Sequence, residues 1–115
     1  MAKFSSFEEI VVWQQSKELV IECYKIFKYN KDYSFRDQIQ RACISVMNNI
    51  AEGFERKGNK EFIKFLYISK GSCGEVRSML YIARELKYVI EEEITILFEL
   101  SLGISKMLAC LIKTL

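Results

Sequence analysis

The sequence predicts an all-α protein, an antiparallel up-down-up-down four-helix bundle. Three observations carry this. The 115 residues include no proline and only five glycines, so the residues that most often break helices are scarce. Half of the residues are hydrophobic, enough for a core without disulfide or metal staples. Apolar residues recur at steps of three and four in four segments separated by short polar breaks. Short connections favour antiparallel neighbours, and the length fits a single domain over residues 1–115.

The first predicted helix runs from about Phe7 to Tyr29. Ile10, Trp13, Val20, Tyr24 and Phe27 follow helical spacing, with Val12, Leu19, Cys23 and Ile26 as a second stripe. Asn30 to Tyr33 form the break, with Ser34 as the expected N-cap. The second helix spans about Phe35–Phe54, followed by the break Glu55-Arg56-Lys57-Gly58 and Asn59 as the expected cap. The third spans about Lys60–Lys87. Gly71, Ser72 and Gly74 lie in its middle, where each glycine costs about 1 kcal/mol of helix propensity. Close approach of another backbone would explain them. The fourth begins near Glu91-Glu92-Glu93, acids suited to the positive end of a helix dipole. Its seam is Ile94, Leu97, Ser101, Ile104, Leu108, Leu111 and Leu115, in strict 3/4 alternation. Further apolar residues lie off that seam and on more than one face of the first helix. This excess predicts self-association.

The second helix is the most organised stretch. Steps of three and four place Arg41, Ser45, Asn48, Glu52 and Arg56 on one side, while Ile39, Ala42, Val46 and Ile50 take the other. The polar row could bind a phosphate or a partner. It could equally fix register, with Ser45, Asn49 and Glu52 meeting Ser72 or Glu75 across the helix pair. Buried polar groups need such partners, because an unpaired one costs about 1–3 kcal/mol.

Charge is unevenly distributed although the net value is only +2. Residues 1–55 carry 7 basic and 8 acidic groups, residues 56–87 carry 8 and 3, and residues 88–115 carry 2 and 4. The positive charge therefore sits on the third helix. There Tyr67, Lys70, Gly74, Arg77, Tyr81, Arg84 and Tyr88 recur at 3/4 spacing, and Lys60, Lys64 and Lys87 extend the charge. Cations that track phosphates, interleaved with rings that stack bases at about 1–3 kcal/mol each, suit RNA or single-stranded DNA. A solvated or subunit-contact face is the other reading, since Tyr and Arg also favour protein interfaces.

Several function classes are excluded. The chain has no histidine, so a cysteine or serine nucleophile lacks its usual base. It has no phosphate-binding glycine loop, and the expectation is a non-enzymatic protein without a cofactor. Cys23, Cys43, Cys73 and Cys110 fall one per predicted helix with no CxxC pair. Their heights along a bundle spread over about 20 Å at 1.5 Å per residue, which argues against a zinc site and for reduced core thiols. Met1 to Phe7 leads straight into an amphipathic pattern, without a signal segment. No run of about 18 apolar residues is evident, so no membrane association is expected and the cytoplasm is the default compartment.

From Gln38 to Arg56 the chain resembles a bacterial family of small four-helix-bundle proteins. Some members are encoded within intervening sequences of 23S ribosomal RNA genes and were once labelled ribosomal proteins. A related branch is the accessory variability determinant of diversity-generating retroelements. The resemblance stands on Gln38-Ile39, Arg41-Ala42, Ser45, Asn49-Ile50-Ala51-Glu52-Gly53 and Arg56. Val12-Trp13-Gln14 upstream, and Glu61-Phe62, Phe65-Leu66, Gly71-Ser72 and Glu75 downstream, extend it over about residues 7–115. Family members often carry proline where Met47 stands, so the second helix should be straighter here. The resemblance implies a four-helix bundle and a homo-oligomer, a pentamer in structurally known relatives. For the retroelement branch it implies partners: a reverse transcriptase and nucleic acid.

Overall fold

The computed structural model describes residues 4–115. The start of the stretch expected to lack a signal segment, residues 1–3, lies outside them. A short 3-10 turn at Phe7–Glu9 precedes four α-helices: α1 Val11–Ile26, α2 Tyr33–Glu55, α3 Asn59–Glu85 and α4 Glu91–Thr114. Each helix packs against its two neighbours in a closed square, α1 beside α2 and α4, and α3 beside α2 and α4. At 1.5 Å per residue the 27 residues of α3 span about 40 Å, close to the 43 Å long axis of the molecule.

The helix starts show where local chemistry departs from the sequence reading. The first helix does not begin at Phe7, because Ile10 is extended (φ −79°, ψ 118°) and separates the 3-10 turn from α1. Phe7 instead stacks edge-on against Trp13, with ring centroids 5.0 Å apart. Ser34 is not the N-cap of α2. Asp32 takes that place, and its carboxylate accepts from the Phe35 N–H at 3.1 Å, as a capping carboxylate does. Asn59 is already helical, and Gly58 is the N-cap of α3 at φ 86°, a left-handed backbone that favours glycine. The acids at the start of α4 stand as expected, with Glu93 accepting the Ile90 N–H at 3.1 Å.

One core runs the length of the bundle. In α2 it takes Ile39, Ala42, Val46 and Ile50, the expected apolar side. In α4 it takes Ile94, Leu97, Ser101, Ile104 and Leu108, while Leu111 and Leu115 are only half-buried at the C-terminal end of the seam. Aromatic groups close both ends. Phe27, Phe35 and Tyr88 form an edge-to-face chain under the α1–α2 and α3–α4 connections. Phe54 meets Phe62 under the α2–α3 connection.

Two expectations are corrected by the packing. Three of the cysteines are not strung along the bundle, because Cys23, Cys43 and Cys73 all sit fully buried near one another. Helices of unequal length do not start at a common height, so counting from the ends misjudged their levels. Cys110 alone is exposed. Helix α4 is long and apolar enough to cross a membrane by length and composition alone, since Glu99 and Lys106 are the only charges from Ile94 to Ile112. The buried seam of α4 accounts for part of this apolarity, since 28% of that stretch is buried within the bundle.

Candidate nucleic-acid interface

The α2–α3 pair is held by a ladder of small polar side chains. The Ser45 and Ser72 hydroxyls share a hydrogen bond at 2.8 Å. The Asn49 amide donates to the Ser45 carbonyl at 2.8 Å and to its hydroxyl at 3.0 Å. The buried Ser69 hydroxyl donates to the Val46 carbonyl at 2.7 Å, and Gln38 donates to Glu75 at 2.5 Å. Every buried side-chain polar atom among the described residues has a partner, which a packed polar ladder requires. The polar row of α2 is thus divided. Ser45 reaches Ser72 on α3, Asn49 bonds Ser45 within α2 and not Ser72 or Glu75, and Arg41 and Asn48 face outward. Glu52 does not reach Ser72 or Glu75 but pairs with Arg56 one turn on, at 3.0 Å. Arg56 also lies over the Phe65 ring at 4.9 Å.

Of the residues expected at a close approach, Ser72 does meet α2 through Ser45, but Gly71 and Gly74 do not. A Cβ added to Gly71 would meet nothing within 4 Å, and one on Gly74 only the end of Arg77 at 3.9 Å. The tight crossing is at Gly53, where a Cβ would stand 2.5 Å from the Phe65 Cβ. Gly53 belongs to the motif of the second helix, but nothing in the spacing marks it for this role. Ser69 was missed altogether, although its place between Leu66 and Cys73 at 3/4 spacing marks a core position.

The aromatic and basic stripe of α3 also divides in two. Its C-terminal half makes contacts within the chain, although the Tyr81 ring, at 59%, is as exposed as that of Tyr67. Arg84 bonds Glu91 at 3.6 Å and covers the Phe98 ring at 5.2 Å, and Tyr81 meets the same ring edge-on at 5.1 Å. Arg77 reaches the Cys73 sulfur at 3.9 Å. Tyr88 has left the stripe and donates to Asp32 at 2.6 Å. Lys87 stands past the helix end at φ 58°. The N-terminal half is open. Lys60 and Lys64 are exposed, Lys70 is half-buried and Tyr67 is 58% exposed. No ion pair among the described residues involves these three lysines.

Topology adds a cation that linear spacing could not show. Cys73 opposite Ser101 and Arg84 opposite Glu91 set the antiparallel register of α3 and α4. That register brings the exposed Lys113 to the height of Lys60 and Lys64. Lys57 stands in the connection just before them.

A family model described as 23S rRNA-intervening sequence protein matches residues 8–110. The chain belongs to that family. The family match runs from before α1 to near the end of α4, so the Asn49-Ile50-Ala51-Glu52-Gly53 run and the polar ladder sit inside a family fold. A crystal structure of a protein of unknown function from the S23 ribosomal protein family of Bacteroides thetaiotaomicron has the same fold. It superposes with a TM-score of 0.83 at 25% identity, over 89% of this chain and 98% of that one. No curated protein matches the chain. Neither relative is described by a catalytic activity, and among the described residues no group of three or more metal-ligating side chains could hold an ion.

Proposed function

We propose that this chain is a non-enzymatic, homo-oligomeric scaffold that associates with RNA or single-stranded DNA through the N-terminal half of α3. The observation that carries the reading is the open cluster of Lys60, Lys64 and Lys70 beside the exposed ring of Tyr67. Cations free of internal ion pairs can neutralise phosphates, and an exposed ring can stack a base. Lys57 and Lys113 enlarge the same positive end. No groove-reading element is present, so little sequence preference is expected. Repetition of the face around an oligomer, a pentamer by resemblance to the family, would multiply weak contacts by avidity.

The test uses the full chain with single-stranded oligonucleotides and a structured RNA at low salt. Lys60→Glu, Lys64→Glu and Lys70→Glu together should abolish binding with helicity intact. Tyr67→Ala should weaken it by about 1–3 kcal/mol, and affinity should fall steeply as salt rises. Arg84→Glu should matter less, because Arg84 is already occupied by Glu91 and Phe98. An absence of any shift for the wild type would reject the reading.

A second reading is a protein-only interaction module that docks a partner such as a reverse transcriptase. It is favoured by Ile68, Ile82 and Leu86, each at least 45% exposed on the outer side of α3. Such a contact would survive salt that strips a polyanion.

A further inference from the structure

Helix α1 has opposite chemistry on its two exposed flanks. Toward α4, Gln15, Glu18 and Glu22 form one wall of an open groove, and Ile96, Glu99, Leu100 and Gly103 form the other. Gly103 would place a Cβ in open space, with nothing within 4 Å, so the middle of the groove is an empty slot. Further along the seam the walls are almost wholly apolar, with Ile10, Val11, Met107 and Leu111. The rim carries Glu18, Glu22 and Glu99, of which Glu22 is already paired with Lys25 at 3.1 Å, and the floor is apolar. On the other flank Lys17, Ile21 and Tyr24 follow steps of four and three and so form one outward ridge, and Lys28 stands in the turn just past the end of α1. Ile21 is 45% and Tyr24 43% exposed, with exposed lysines at both ends of the ridge. Lys17 lies over the Trp13 ring at 5.7 Å, which holds its charge close to the helix. The ridge is apolar with basic ends.

We infer that the α1 ridge of one copy docks in the α1–α4 groove of the next copy. Ile21 and Tyr24 cover Ile96 and Leu100, the apolar residues of the groove at the level of the ridge, and Lys17 and Lys28 face Glu18 and Glu99. This rests on the homo-oligomer reading above and names the surfaces that build the assembly. The charge complementarity is between two different faces of one chain, so the contact is heterologous. Ridge and groove residues interleave along the same stretch of α1, and therefore stand at the same height on the bundle. At about 100° per residue they are separated by roughly 120° around the helix. A contact that turns without climbing repeats into a closed ring rather than a filament. It leaves Lys60, Lys64, Tyr67 and Lys70 outside the interface, while the acidic groove itself repels a polyanion.

The experiment reads assembly mass by sedimentation velocity on the full chain across a concentration series. The groove pair is Glu18→Lys with Glu99→Lys, and the ridge pair is Lys17→Glu with Lys28→Glu. All four side chains are exposed, so circular dichroism should show unchanged helicity. Each pair alone should weaken assembly by about tenfold or more, because like charges then face one another. The chain carrying all four substitutions should regain the wild-type mass. Gly103→Leu, which fills the slot without touching the core, should weaken assembly as well. If both pairs leave the mass unchanged, another face builds the oligomer, and this inference falls while the oligomer reading stands. A failure of the fourfold chain to reassemble overturns the inference too, since complementarity would not be the cause. A monomeric wild type removes both.

Discussion

Gly53 on α2 lies so close to Phe65 on α3 that a Cβ at position 53 would stand 2.5 Å from the Phe65 Cβ and 3.2 Å from the Phe62 ring. The obstacle is the root of a side chain on a packed helix, not the free end of a flexible one. Helix α3 can accommodate a methyl there only by moving away from α2. Gly53→Ala should therefore destabilise the protein by about 1–3 kcal/mol, as overpacking does, despite alanine's better helix propensity. Gly71→Ala, in open space on the exposed side of α3, should instead gain up to about 1 kcal/mol. Thermal melts of the two variants should move in opposite directions.

Ser72 meets Ser45 at 2.8 Å in the middle of the same helix pair. Ser72→Leu should force the helices apart and cost about 1–3 kcal/mol. Ser72→Ala keeps the spacing and leaves Ser45 with the Asn49 amide, so its cost should be smaller, about 1 kcal/mol. Urea midpoints should rank wild type above Ser72→Ala and that above Ser72→Leu. An unchanged midpoint for the leucine variant would show that Ser72 does not pack against α2.

The Tyr88 hydroxyl donates to the Asp32 carboxylate at 2.6 Å and ties the α1–α2 connection to the α3–α4 connection. This bond, followed by the Phe35 N–H bond, holds the Asp32 carboxyl below its ordinary value. The same bond pushes the Tyr88 phenol up. A lowered carboxyl contributes stability that is complete above its ordinary value and is lost as pH falls through the lower folded value. A raised phenol contributes stability that is complete below its ordinary value and is lost as pH rises through the higher folded value. The contact should thus hold across the neutral range and fail at both extremes. Tyr88→Phe should melt below wild type at neutral pH, and the gap should close in strong acid. A gap that stayed constant with pH would assign the loss to ring packing on Phe35 instead.

Cys23, Cys43 and Cys73 are fully buried. The hydrogen bond of the Cys43 thiol to Cys23, followed by burial, pushes that thiol up, and burial raises that of Cys73 against the opposing effect of Arg77. Thiolates are the reactive species, so these three should resist a thiol reagent in the native protein and react only after unfolding. Counting modified cysteines by mass before and after denaturant checks this. Rapid native labelling at Cys43 would contradict the packed arrangement of the three.

Element type and the buried faces were legible in the chain, because 3/4 periodicity is a local signal. Ile39, Ala42, Val46 and Ile50 on α2, and Ile94, Leu97, Ser101, Ile104 and Leu108 on α4, were readable as core before any packing was known. Caps were less legible. Asp32 and Ser34 both suit an N-cap, and the contact from Tyr88, 56 residues away in sequence, helps to hold Asp32 in that position. Of the candidate interface, Lys60, Lys64, Tyr67 and Lys70 were readable as a basic-aromatic run, but nothing in the spacing distinguished them from Arg77, Tyr81 and Arg84.

The sequence by itself determined four amphipathic helices, their antiparallel order and the concentration of positive charge on the third, since each follows from neighbours a few residues apart. Tertiary structure alone decided which small residue meets another helix, which cations are already paired, and which cysteines share one region. It selected Gly53 over Gly71, left Lys64 free while occupying Arg84, and gathered three thiols that the helix ends seemed to separate. The reason is register. Sliding one helix along another by a single turn keeps every periodic pattern intact and changes every cross-helix partner, so those partners are set by the packed core and not by local spacing.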